Sequence, residues 1–358
     1  MRLEPNNISL AGPGSRQRFL VTAADADGND SDVTEKCRVS SRQPAVIAVD
    51  KGSLVAQSPG EAIVDVQCGA TAARTTVKVG ASSTAVRVNF AREILSILTT
   101  KGCNSSSCHG SPAGQNGFKL SLYGSDPAAD HRMIVETHGG RRINRDVPEK
   151  SLLLAKPAFQ VAHGGGQLLT PQSDEYRMLL KWLSEGARLD TDGPRFTRLE
   201  LYPAERVLFG AGARQPLVVV GRLSDGTTRD LSTEVRYAVN DEAVVGPVTG
   251  GAVTAKGRGL TTVMARAFGR AATAQFIVIE GGTPGPKVDA ANFIDEFVFA
   301  KLRHTRIQPF PIAGDHAFIR RVYLDAIGLL PAPDETRAFV SDASPDKRRT
   351  LIEKLLAR

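Results

Sequence analysis

The chain has 358 residues, 41% hydrophobic and 23% charged, a globular balance with room for roughly two to four domains. Its formal net charge of +7 is spread along the sequence, and with no dense lysine and arginine block a nucleic-acid partner is not expected. No apolar run reaches the length of a bilayer span, and the opening MRLEPNNISL lacks the charged-then-apolar pattern of a secretory signal; because the chain stops at LIEKLLAR inside a helical pattern, both ends read as cut.

From Arg2 the sequence reads RLEPNNISLAGPGSRQRFLVTAADADGNDSDVT, and from Arg198 it reads RLELYPAERVLFGAGARQPLVVVGRLSDGTTRDLS. The stretches share Arg-Leu-Glu, a Gly-x-Gly-x-Arg-Gln turn, a strand and an Asp-Gly turn, and the match runs on for about eighty residues of short, valine-rich, alternating segments. Two copies of one β-sandwich are therefore expected, at 1–82 and 195–281. Their alignment sets Cys37 against Val235 and Cys68 against Ala267. Two apolar strand positions turned into cysteines suggest a disulfide, closing a loop of about thirty residues and contributing ~3 kcal/mol. The alternative is a pair of buried free thiols. A bridge would imply an oxidising compartment.

In the first copy, VSSRQPAVIAVDKGSLVAQSPGEAIV resembles the bacterial immunoglobulin-like group 2 module. The resemblance covers both copies. It implies a spacer or adhesive unit on an exported protein, located in the periplasm or at the cell surface, with no catalytic residue to carry over.

Between the copies, residues 86–190 have a different texture. In FAREILSILTT, Phe90, Ile94, Ile97 and Leu98 fall on one helical face. TPQSDEYRMLLKWLSEGA opens on cap-type Thr170 and a proline, turns Tyr176, Leu179, Leu180 and Leu183 inward, and stops at Gly186. Directly after the first helix stands KGCNSSSCHG, residues 101–110. A c-type haem motif is Cys-x-x-Cys-His, in which two thiols add to the haem and the histidine ligates iron. Here four residues separate the cysteines. On a regular helix, cysteines five apart diverge by roughly 140°, so Cys103 and Cys108 reach one macrocycle only if NSSS forms a bulge or turn.

A second axial ligand would come from His131, His138, His163, Met133 or Met178. Met178 reads as core filler and His131 as a surface residue of a short helix. His163 precedes three glycines, which let backbone pass close to a flat cofactor. It is the leading candidate. Arg141 and Arg142, in GGRRIN, are candidate partners for haem propionates; an exposed basic turn is the alternative. Two rival chemistries use the same residues: a zinc site of Cys103, Cys108, His109 and His163, strained by the adjacent Cys-His pair, and a plain Cys103–Cys108 disulfide.

Taken together, KGCNSSSCHG, GFKLSLYG, RRINRDVPEKSLLLAKP, AHGGG and YRMLLKWLSEGA resemble the cytochrome c-like module of large planctomycete-type exported proteins. The resemblance implies one covalent haem c, tethered by Cys103 and Cys108 and ligated by His109. Many relatives carry a Met-Pro-Pro turn where this chain has HGGG. That departure implies a bis-histidine haem with His163, at a lower potential than a His/Met haem. Cysteine spacing is the other departure from the family pattern.

After the Gly- and Pro-rich linker GGTPGPKVD come three helical patterns in 288–358. DAANFIDEFVFAKLRHT sets Phe293, Ile294, Phe297, Val298 and Leu302 on one face. DHAFIRRVYLDAIGLLP does so with Phe318, Ile319, Val322 and Ile327, and SPDKRRTLIEKLLAR opens with a Ser-Pro cap. Asp295, Arg320, Arg321 and Asp325 are candidate site residues, though charged helix faces are usually just solvated. FIDEFVFAKL, RRVYLDAIGLLPAPDE and LIEKLLAR resemble the start of the domain of unknown function that follows the cytochrome module in the same proteins. The sequence thus implies a multidomain exported chain: two all-β sandwiches, an all-α cytochrome c-like domain between them, and the N-terminal part of a helical domain. Electron transfer is the expected function, with an unidentified redox partner. The alternatives are a non-redox surface-binding or scaffold protein and the electron relay of a larger enzyme; no complete catalytic site is visible.

Overall fold

The computed structural model describes residues 1–358 except 25–28, 82–86, 191 and 282–288, and it leaves out the His304 side chain. The expected boundaries at 82, 86 and 288 and most of the Gly- and Pro-rich linker lie outside the described residues. Two compact units emerge, Met1–Pro284 and Gly285–Arg358.

The first unit begins with a β-sandwich. One sheet joins Arg2–Glu4, Leu20–Ala24 and Asp30–Asp32; Thr71–Val79 lies between Ile8–Leu10 and Gly60–Cys68 in the other, which Arg38–Ser41 extends. Along Gly60–Cys68 the side chains of Ala62, Val64 and Val66 turn inward and their neighbours outward, the period of two that a half-buried strand requires. Leu3, Leu10, Val21, Leu54 and Val77 fill the space between the sheets.

The second sandwich repeats this plan. Phe196–Tyr202, Val218–Leu223 and Thr228–Asp230 form one sheet, and Glu205–Phe209, Arg270–Ile279, Gly259–Ala267 and Arg236–Val239 the other. The copies agree down to single hydrogen bonds. Gln17 and Gln215 are both buried, each giving its side-chain amide to the next backbone carbonyl, at 3.0 and 2.8 Å. Thr34 Oγ1 accepts from the Val21 amide at 2.8 Å, and Ser232 Oγ accepts from the Val219 amide at 2.9 Å. Cys37 and Cys68 are disulfide-bonded, with their Cα atoms 4.4 Å apart, because Arg38 pairs with Gln67 and brings the preceding and following residues together. In the second copy Arg236 pairs with Arg266, which sets Val235 beside Ala267, both buried. The bridge thus replaces an apolar contact of the sister module.

A parallel pairing of Thr228 with Leu10 joins the sandwiches, with Thr228 Oγ1 accepting from the Ser9 amide at 3.1 Å. Buried Arg206 reaches across to Thr22 Oγ1 at 3.0 Å.

Between the sandwiches the chain forms helices and turns around a core of Phe90, Ile94, Leu95, Leu98, Ile134, Leu154, Leu179 and Trp182. The first element is a π turn, Phe90–Ile94, running into helix α1, Leu95–Thr100. Asn89 Oδ1 accepts from the Arg92 amide, and Glu93 returns a carboxylate to the Asn89 amide at 2.7 Å, so two otherwise orphaned donors are satisfied. Phe90, Ile94, Ile97 and Leu98 are all buried, as their spacing predicts. Helices α2, Pro127–Val135, α3, Leu152–Ala155, and α4, Asp174–Ser184, follow. The cap of α4 is Ser173 rather than Thr170, because the Thr170 carbonyl accepts from Ser173 in the preceding turn. Met178 is exposed rather than core filler; Trp182 takes the inward place one turn on.

Among its described residues the second unit holds four helices, not three: α5, Phe293–His304, α6, Asp315–Ile327, α7, Pro333–Ser341, and α8, Lys347–Leu356. Its core is Ile319, Tyr323, Phe339, Leu351 and Leu355. Phe293, Ile294, Phe297 and Val298 are exposed, against the expected interior stripe, since that core is built from α6, α7 and α8 alone. The Ser-Pro cap also fails: α8 starts after Asp346, and no side chain caps it. Arg320, Arg321 and Asp325 are solvated.

Candidate functional site

The helical segment between the sandwiches, together with Arg236 of the second one, lines a cavity of about 570 Å³, within the size range of small-molecule and cofactor sites. Cys103, Cys108, His109, Arg141, Arg142 and His163 all line it, although up to sixty residues separate them in sequence.

Helix α1 ends at Thr100, and residues 101–110 run through consecutive turns. Gly102 carries φ +77°, a left-handed conformation that a glycine adopts at little cost and that swings the chain off the helix axis. The spacer is held by its own polar groups: Ser105 Oγ donates to the Gly102 carbonyl at 2.8 Å, and Asn104 Nδ2 to Thr99 Oγ1 at 3.0 Å. The His109 amide then donates to the Cys103 carbonyl at 2.9 Å and the Gly110 amide to the Ser105 carbonyl at 3.0 Å. Four intervening residues therefore form a closed turn instead of a helical segment, and both thiols reach one cavity.

Cys103 and Cys108 are free thiols, so the plain disulfide between them is not formed. Burial pushes the Cys103 thiol up to about 12, helped by neighbouring Cys108, and keeps it protonated. Among the described residues no group of three or more His, Cys, Asp or Glu side chains is placed to hold a metal ion, so the four-ligand zinc set is not assembled.

His109 Nδ1 lies 2.9 Å from the Phe118 carbonyl, which only accepts, so Nδ1 carries the proton and Nε2 presents its lone pair. Burial lowers the His109 pKa more than this bond raises it, favouring the neutral ring. His163 Nδ1 stands 2.9 Å from the Gly166 carbonyl and is fixed in the same tautomer. A Cβ on Gly165 would lie 2.9 Å from the His163 ring, so the second glycine of the HGGG run permits the ring's position.

The other proposed axial residues divide. His138 lines the cavity and is exposed. His131 is buried, contrary to its reading as a surface residue: Nε2 donates to the Ala187 carbonyl at 2.7 Å, and the ring meets Phe90 edge-on. Met133 and Met178 do not line the cavity.

Apolar walls come from Ile97, Leu98, Phe118, Leu153, Leu169 and Leu179, and the charged lining is all basic, with no Asp or Glu among the described residues. Arg142 is buried, its Nη1 donating to Met133 and Thr137 carbonyls at 2.9 and 3.1 Å and Nη2 to Gly117 at 3.2 Å, with the guanidinium over the Phe118 ring. It braces the loop that fixes His109. Arg141 is exposed. Lys101, Lys156 and Arg236 complete the basic lining. Sequence reasoning missed them: the lysines carry no motif, and Arg236 belongs to the second sandwich.

Residues 293–358 match the family model PSCyt2, described as a protein of unknown function (DUF1549). This agrees with the resemblance of the C-terminal helices to such a domain. No curated protein matches the chain. Among solved structures, domains 5–6 of the S-layer protein SbsC share 10% identity with a TM-score of 0.33, covering 79% of this chain and 97% of that one. Human protocadherin-24 EC1-2 shares 8% over 78% of this chain and 98% of that one, with a TM-score of 0.17. Neither likeness bears on a residue of the cavity. Among the described residues no helix is long and apolar enough to cross a membrane.

Proposed function

We propose that the cavity takes one covalently attached haem c and that the chain serves in one-electron transfer. The single observation behind this reading is the convergence of Cys103, Cys108, His109 and His163 on one cavity with apolar walls and a wholly basic charged lining. The donor set fits: two reduced thiols for two thioether links, and two imidazoles with Nε2 open for the axial positions. A haem supplies one-electron redox chemistry when bound. The chain does the rest. Phe118 and Gly166 carbonyls hold the imidazole tautomers, the leucines and Phe118 exclude water, and basic side chains suit the two carboxylates of a tetrapyrrole edge. The comparisons lend no weight to electron transfer, and the reading rests on the cavity.

Expression of the full chain alongside a haem-attachment system is the test. A Soret band and a pyridine haemochrome that survive denaturation are expected; a colourless product from a host that matures a control cytochrome overturns the reading.

A second reading, a non-redox surface-binding or scaffold protein, is favoured by the two sandwiches joined through one sheet and by the Cys37–Cys68 bridge, which suits an oxidising exterior. In both readings the sandwiches act as spacers or adhesion units of an exported protein of the periplasm or cell surface. A redox partner belongs only to the first.

A further inference from the structure

The cavity wall is not built from the helical segment alone, since Arg236 reaches it from the second sandwich. Strand Arg236–Val239 turns Arg236 outward while the preceding Val235 is buried. A Cβ placed on Gly102, next to Cys103, would stand 3.6 Å from Arg236 Nη1. Two polar ties hold this approach in place. Ser96 of α1 donates to Glu234 at 3.1 Å, and Arg229 joins Glu93 at 3.1 Å to Glu234 at 2.7 Å. Glu234 lies two residues before Arg236, so the ties that fasten α1 to the sandwich also set the arginine beside the thiol loop.

Three of the other cations of the wall are engaged, Lys156 reaching the Ala162 carbonyl at 3.4 Å, while exposed Arg141 has no such partner among the described residues. Lys101 pairs with Glu175 at 2.8 Å, and Arg142 serves three carbonyls. The Arg236 side chain makes no hydrogen bond or ion pair with another described residue, its backbone being paired with Arg266.

We infer that Arg236 is a positioning residue for the ligand, receiving one carboxylate of the tetrapyrrole edge, so that the cofactor site is completed by a neighbouring module. This rests on the haem reading. A cation at that edge disfavours the more positive ferric state and keeps the carboxylate ionised. Its loss therefore lowers the potential and moves the carboxylate's titration to higher pH.

The test compares matured full-length protein carrying Arg236→Gln or Arg236→Lys with the unaltered chain, measuring haem content by pyridine haemochrome and midpoint potential from pH 5 to 9. Arg236→Gln is expected to lower the reduction equilibrium constant roughly threefold to tenfold, at most about 59 mV for one electron, with the pH-dependent step displaced upward; Arg236→Lys restores part of both. Full haem content with an unchanged potential and pH profile overturns the inference and leaves the haem reading standing. No haem in any of the three proteins overturns the haem reading and this inference with it.

Discussion

The His109 amide donates to the Cys103 carbonyl at 2.9 Å, folding the chain back on itself across the whole spacer. That bond turns a cysteine pair unsuited to a helix into one that serves a single cavity. The turn is packed tightly at its end: a Cβ on Gly110 would lie 2.2 Å from the Asn104 carbonyl oxygen and 2.8 Å from that of Ser105. Both are backbone atoms that cannot rotate away. Gly110→Ala is expected to destabilise the helical segment by about 2–4 kcal/mol. Trp182, the chain's one tryptophan, is buried in that segment, so its fluorescence in a urea titration reports the loss; an unchanged midpoint would show that the turn is not tight.

His163→Met tests the second axial position. With the proposed haem in place, replacing an imidazole by a thioether would raise the reduction potential while the two thioether links would keep the haem attached. Redox titration of the matured protein reads this directly, and an unchanged potential and spectrum would remove His163 from the ligand set.

Each cysteine of the loop is expected to carry one link. Cys103→Ala and Cys108→Ala singly should each leave haem on a denaturing gel with a red-shifted pyridine haemochrome, and the double variant should lose it. Before maturation, Cys103 should alkylate slowly at pH 8, because its thiol is pushed up to about 12 and little thiolate is present.

Asp130 gives the helical segment a pH dependence. Burial pushes its carboxyl up to about 6, although it accepts from the Ser121 amide and hydroxyl at 2.5 and 2.6 Å. The folded chain therefore keeps this proton between the ordinary carboxylate range near 4 and about 6, a window in which the unfolded chain has lost it. Stability from this group is full below about pH 4 and falls, by on the order of 3 kcal/mol, as pH rises through 6. Urea midpoints read by Trp182 should decline over that window, and Asp130→Asn should flatten the slope.

The sister sandwiches supply their own control for the disulfide. Cys68→Ala is expected to cost about 3 kcal/mol. Cys37→Val with Cys68→Ala copies the Val235–Ala267 contact of the other module and should recover part of it, measured as urea midpoints by far-ultraviolet circular dichroism.

Much of this arrangement is legible in the residues. Internal repetition carries its own check, and the Cys37–Cys68 pairing follows from a register that the copies share. Phe90, Ile94, Ile97 and Leu98 announce a buried face through spacing alone. Motif strings mark the cysteines and His163, because thiols, imidazoles and glycine runs are chemically distinctive. Exposure is harder to read. Phe293, Ile294, Phe297 and Val298 have the periodicity of a buried stripe yet stay in solvent, since a pattern shows that a face is apolar and not that anything covers it. His131 fails in the opposite sense, its polarity hiding a buried hydrogen bond to Ala187.

Residue spacing and chemistry alone carry the local picture: two β modules of one kind, a helical segment between them, and the thiols and imidazoles that the proposed haem would use. Tertiary structure decided which of them meet. His109 and His163 face one cavity, Arg142 is committed to backbone carbonyls, and Arg236 joins from another module, because long-range packing brings together residues that no local period relates.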